Sequence, residues 1–97
     1  MEIVSKELYE AVYDKTLEEL NLDLDDLKYI DINAFYFKCK EWAYTQGYNL
    51  KSEIAGCLMC QRTSFMWSDE EWFNGSSEIE AVIKACEYIL QQTKKGI

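Results

Sequence analysis

From Ser76 to Gly96 the apolar residues Ile79, Val82, Ile83, Cys86, Ile89 and Leu90 recur at steps of three and four. That spacing collects them in one stripe of a helix turning once per 3.6 residues. Ser77 and Glu80 stand at capping-box spacing, with the hydroxyl placed for the Glu80 N–H and the carboxylate for the Ser77 N–H. Lys94 and Lys95 suit the negative end of the helix dipole, and Gly96 can close the helix in a left-handed conformation. This is the element onto which the rest is expected to pack. A second helix is predicted over 32–46, with Asp31 as its N-cap, Phe35, Cys39, Trp42 and Ala43 on one face, and Gly47 as its stop. Tyr36, Phe37 and Tyr44 lie off that stripe, which predicts covering on more than one side. A helix with a looser stripe is predicted from Ser5 to about Leu20, carried by Leu8, Val12, Leu17 and Leu20 with Tyr9 and Tyr13 beside them.

After Gly47 the period changes to two. Tyr48, Leu50, Ser52 and Ile54 alternate with Asn49, Lys51 and Glu53, the pattern of a strand with one buried face. Ala55-Gly56 offers a turn into a second, antiparallel strand from Cys57 to about Met66, whose run Cys57-Leu58-Met59-Cys60 is apolar on both faces. Trp67 to Gly75 reads as a loop or short third strand. The fold class expected is therefore α+β: a small antiparallel sheet of two or three strands against about three helices. One domain over 1–97 is expected, with an acidic helical segment at 1–31 and a helix–hairpin–helix core at 32–97.

Composition supports folding, since 48% of residues are hydrophobic and 14% aromatic, enough apolar surface to offset the entropy of ordering. Charge adds a further distinction. The net charge is −8, and residues 1–31 hold ten acids and three lysines, 3 − 10 = −7. An acidic chain is poorly suited to direct nucleic-acid binding, which depends on Lys and Arg displacing counterions. Two readings of the acidic segment stand side by side: a solvated face that maintains solubility, and a docking surface for a basic partner through Glu18, Glu19, Asp25 and Asp26. No stretch approaches the apolar run of about 20 residues that a membrane span needs. With no basic-then-apolar leader pattern, a cytoplasmic location without membrane association is expected.

Candidate chemistry is sparse. Asn21-Leu22-Asp23-Leu24-Asp25-Asp26-Leu27 resembles the start of a calcium loop, but Asp26 stands where glycine is needed and Ile32 where a bidentate Glu is needed. The four cysteines, Cys39, Cys57, Cys60 and Cys86, read as reduced core thiols, with a four-cysteine zinc site and a redox pair as alternatives. On a regular strand Cys57 and Cys60 face opposite ways, and Cys39 and Cys86 sit in helical stripes. The chain has no histidine, which removes imidazole-dependent triads. Its glycines are isolated, so no phosphate loop or dinucleotide fingerprint is present. Neither a catalytic residue, a metal site nor a cofactor is predicted.

Trp67-Ser68-Asp69-Glu70-Glu71-Trp72-Phe73 is the segment most suggestive of recognition. Large aromatics in a polar setting bury much area with few rotatable bonds, and Asp69, Glu70 and Glu71 beside Trp67 and Trp72 would select a basic partner. The alternative is that these rings cover the sheet or staple the last helix.

The order helix, hairpin, acidic-aromatic segment and then the helix of Asn74-Gly75-Ser76-Ser77-Glu78-Ile79-Glu80-Ala81-Val82-Ile83-Lys84-Ala85-Cys86-Glu87-Tyr88-Ile89-Leu90 resembles small phage or prophage accessory proteins of the α-β-α sandwich kind, over roughly residues 32–92. The resemblance implies a short accessory protein that acts by binding, for example by blocking a host defence nuclease or a CRISPR complex. It carries over no site residues. The expectation is a non-enzymatic protein-binding module, monomeric or homodimeric, whose acidic surface engages a basic host or phage protein. A self-associating structural or assembly protein is the alternative from another class.

Overall fold

The computed structural model describes residues 4–54, 57–62 and 70–95. Its element order is α1 (Lys6–Tyr13), a 3-10 helix (Leu24–Tyr29), α2 (Ile32–Thr45), β1 (Tyr48–Ile54), β2 (Cys57–Arg62), β3 (Glu70–Asn74) and α3 (Glu78–Lys95). This is the α+β class, with a three-stranded antiparallel sheet in the order β1-β2-β3.

The sheet alternates as its sequence requires. Tyr48, Leu50, Leu58 and Cys60 are buried, while Asn49 and Lys51 are exposed. Leu50 pairs with Cys60 and Leu58 with Phe73, so the inner face is continuous across all three strands. Between Ser52 and Ile54 the register with β2 shifts by one residue, a bulge that strengthens local twist. The proposed Ala55-Gly56 turn and the continuation of β2 through Met66 lie outside the described residues.

Helices α2 and α3 pack together and onto the inner face of the sheet, and α1 lies against both helices. On α2, Phe35, Cys39 and Ala43 are buried and Trp42 is half-buried, the face the spacing indicated. The off-stripe aromatics differ from expectation: Tyr36 is half-buried, but Phe37 and Tyr44 are 64% and 61% exposed. Seven residues apart, they share the solvent side of the helix, and no other element among the described residues covers that side of them. On α3 the buried stripe is Ala81, Val82, Ala85, Cys86, Ile89 and Leu90, with Ile79 and Ile83 half-buried at its edge. The small residues Ala81 and Ala85 let the helix approach its neighbours closely.

Each helix start is capped by the residue whose chemistry suits it. The Ser5 hydroxyl accepts from the Leu8 N–H at 3.1 Å, and Asp31 Oδ1 accepts from Asn33 and Ala34 at 3.1 and 3.2 Å. Ser77 accepts from the Glu80 N–H at 3.2 Å. The reciprocal arm is displaced by one residue, because Glu80 accepts from the N–H and hydroxyl of Ser76. Gly75 fits beneath this cap, since a Cβ there would lie 2.9 Å from the Ala81 nitrogen. Gly47, at φ +90°, takes the positive φ that ends α2, a conformation that costs other residues energy.

The first helix stops earlier than its periodicity suggests. Asp14 adopts the left-handed conformation at φ 54°, with its N–H donating to Ala11 O and the Lys15 N–H to Glu10 O. These paired bonds close α1 after Tyr13. The same device recurs at Asn21, φ 58°, where the Asn21 and Leu22 N–H groups donate to Glu18 O and Leu17 O. Leu17 stays buried in a single turn between them, which is why its spacing resembles that of a continuing helix.

Candidate binding surface

The acidic segment is assembled by its own carboxylates. Glu10 Oε2 accepts from the Leu17 N–H at 2.7 Å, and Glu19 Oε1 accepts from the N–H and hydroxyl of Thr16 at 3.3 and 3.2 Å. In return the Glu19 N–H donates to the Thr16 hydroxyl oxygen at 3.1 Å, a capping box on a single turn. Asp26 Oδ2 accepts from the Asp23 N–H at 2.7 Å and secures the start of the 3-10 helix. Asp25 lies 3.8 Å from Lys28, an i,i+3 pair in which both groups are exposed. An ion pair of that kind contributes little to stability.

Of the four acids singled out at 18, 19, 25 and 26, all are exposed. Glu19 and Asp26 also serve as caps, Asp25 is paired, and the Glu18 side chain has no partner among the described residues. Trp67 and Asp69 lie outside the described residues. Glu70 enters β3 opposite Gln61. Glu71 stands opposite Cys60 yet remains exposed, on a strand at the sheet's edge. Trp72 and Phe73 divide the work. Phe73 turns inward to Tyr88, ring centroids 5.5 Å apart, whereas Trp72 pairs with Met59 on the outer face and is 49% exposed. The described residues among them are therefore split: Glu18, Glu19, Asp25 and Asp26 lie between α1 and α2 in the chain, Glu70 and Glu71 lie on the edge strand β3, and Trp72 lies on the sheet face away from the helices.

Beside the acids lies a groove of about 420 Å3 whose lining includes Tyr9 and Tyr13 from α1, Leu22, and Ile30. Tyr29, 84% exposed, and the carboxylates of Asp26 and Asp31 form its rim. Tyr9 and Tyr13 lie 4.8 Å apart between ring centroids, and both stack on Phe35 of α2, at 5.2 and 6.2 Å. Burial pushes the Tyr13 phenol above its ordinary range, and the Tyr9 hydroxyl and the Asp31 charge add to it. A second groove, of about 450 Å3, runs between α1 and α2 but mixes Asp14 and Glu41 with Lys38. Of these two grooves, among the described residues, the first has charges of a single sign at its rim.

A polar cluster on the opposite side of α2 was not evident from spacing. Glu78 at the start of α3 accepts from the Ser52 hydroxyl of β1, and Lys40 Nζ lies 3.9 Å from its Oε1 and 3.4 Å from the Tyr36 hydroxyl. Tyr36 is pushed up to about 12 by burial and then by Glu78, while Ser52, Tyr36 and Lys40 hold Glu78 below the usual carboxylate range. With serine and tyrosine both acting as donors to one carboxylate, the cluster ties three elements together.

The thiols are core groups. Cys39, Cys60 and Cys86 are buried, Cys57 is half-buried, and all four are free. Cys86 Sγ donates to the Cys39 carbonyl at 3.6 Å. Burial pushes Cys60 up to about 12, and the contact with Cys39 together with burial raises Cys86 strongly. Among the described residues no group of three His, Cys, Asp or Glu is placed to hold a metal ion, and no helix is long and apolar enough to cross a membrane. Comparisons with protein-family models, curated proteins and solved structures find no match to this chain.

Proposed function

We propose that this chain is a non-enzymatic protein-binding module whose acidic first third docks a basic partner protein. The observation that carries the reading is the exposed carboxylate set of residues 16–31 beside a one-signed aromatic groove. Charge complementarity of this kind sets partner choice and on-rate more than raw affinity. An anti-defence role fits the same chemistry, since a basic nucleic-acid-binding surface on a host nuclease or CRISPR complex is what an acidic module would occupy. Catalysis is not part of the proposal.

The test is capture of a basic protein from host lysate by wild type and by a variant carrying Glu18→Lys, Asp25→Lys, Glu19→Gln and Asp26→Asn. The amides keep cap acceptors that lysine would destroy. The expected result is a basic protein held at low salt, shed at high salt, and lost by the variant at an unchanged circular dichroism spectrum. Equal capture by both proteins would refute the docking role.

A second reading, self-association through the outer sheet face, is favoured by exposed Trp72 beside Met59. It requires mass that rises with concentration in light scattering. A constant monomer mass across micromolar concentrations excludes it.

A further inference from the structure

We propose that the groove of Tyr9, Tyr13 and Tyr29 takes an arginine side chain from a basic segment of the partner, an inference that rests on the docking role above. The aromatic floor alone would accept any flat apolar group. The rim narrows the choice, because it holds two carboxylates and no cation among its lining residues. Each carboxylate is only half used. Asp26 directs Oδ2 to the Asp23 N–H and Asp31 directs Oδ1 to Asn33 and Ala34, so Asp26 Oδ1 and Asp31 Oδ2 have no hydrogen-bond partner among the described residues. A planar cation entering here meets the exposed Tyr29 ring and the half-buried edge of Tyr13, with free carboxylate oxygens to accept its N–H groups. Guanidinium meets both requirements, being flat, permanently charged and equipped with several donors in one plane. Lysine offers a compact charge with strong hydration and no face to stack. Tyr29, at 84% exposure, leaves its ring open to such a guest.

The experiment is an NMR titration of the full chain with three blocked peptides of equal length, in which glycine alternates with arginine, lysine or uncharged citrulline. The arginine peptide is expected to shift the ring signals of Tyr9, Tyr13 and Tyr29 and to bind more tightly than the lysine peptide. Tyr29→Ala is expected to weaken it by a factor of about five, the scale of one cation–π contact. Asp26→Asn with Asp31→Asn, which retains both cap acceptors, is expected to remove the preference for arginine. Equal binding of the arginine and lysine peptides, with shifts spread over the acids and rings unmoved, would overturn the groove while leaving acidic docking intact. Absence of binding by either charged peptide would overturn both. Free arginine amide binding as tightly as the peptide would also overturn the proposal, in favour of a small-molecule site.

Discussion

Residues 4–31 and 32–95 reach their structures by different means. The first region has one eight-residue helix, a single turn and a short 3-10 helix, too little regular structure to be stable alone. Side-chain oxygens of Ser5, Glu10, Thr16, Glu19 and Asp26 hold its backbone donors. The second region has two long helices and a sheet around a closely packed core, with Phe35, Cys39, Leu58, Val82, Cys86 and Ile89 fully or almost fully buried. Local polar bonds set the turns of the first region, which docks on the core through Val4, Leu8, Tyr9, Leu17 and Leu27, whereas burial between layers shapes the second. The consequence is that the carboxylates that order the first region also remain at its surface, as Glu19 and Asp26 do. Phe35 joins the two regions, stacking beneath Tyr9 and Tyr13 from the core side.

The largest effect is therefore expected at that joint. Phe35→Ala should cost about 3–5 kcal/mol, a large part of the total stability of a small domain. It should also detach the tyrosine pair, which urea denaturation followed by far-ultraviolet circular dichroism and by tyrosine fluorescence would show. A loss below about 1 kcal/mol would mean that the stack is not what connects the regions.

A smaller effect separates capping from charge. Asp31→Ala removes the acceptor for two N–H groups and should cost about 1 kcal/mol, whereas Asp31→Asn should cost about half of that or less. The difference in urea midpoints checks this, and equal losses would mean that the carboxylate charge matters more than its hydrogen bonds.

Acid should affect the second region through its own carboxylates. Glu78 is held below the usual range by Ser52, Tyr36 and Lys40, and Glu80 by Ser76 and Lys84. A lowered folded-state value gives stability that is present at neutral pH and disappears as pH falls through that value. The loss should begin near the unfolded carboxylate value of about 4.3 and continue below it. Urea midpoints from pH 7 down to about 3 should fall less steeply for Glu78→Gln with Glu80→Gln than for wild type. Identical slopes would contradict the assignment of acid sensitivity to these two groups.

The packed region was far more legible in sequence than the capped one. Asp31, Gly47 and Ser77 mark boundaries with chemistry that acts locally, and the alternation from Tyr48 to Leu50 follows directly from the pleat. The end of α1 was hidden because aspartate and asparagine, not glycine, take the left-handed positions at 14 and 21, and Leu17 and Leu20 continue a helical spacing. Phe37 and Tyr44, off the buried stripe, suggested cover on a second side because hydrophobicity does not reveal which side of a helix lacks a neighbour. Trp72 and Phe73 could be separated only once Glu70–Asn74 was seen to be a strand, where adjacent side chains part. The acids were visible as a run, but the groove beside them draws on positions 9, 13, 22, 26, 29, 30 and 31. The Tyr9 and Tyr13 spacing was its one local sign.

The most direct test of the docking account is amide hydrogen exchange of the chain, free and bound to the basic protein it captures. The account predicts that slowing on binding concentrates in residues 16–31, with the amides of β3 around Trp72 unchanged. Slowing at β3 with residues 16–31 unaffected would contradict it and place the contact on the sheet.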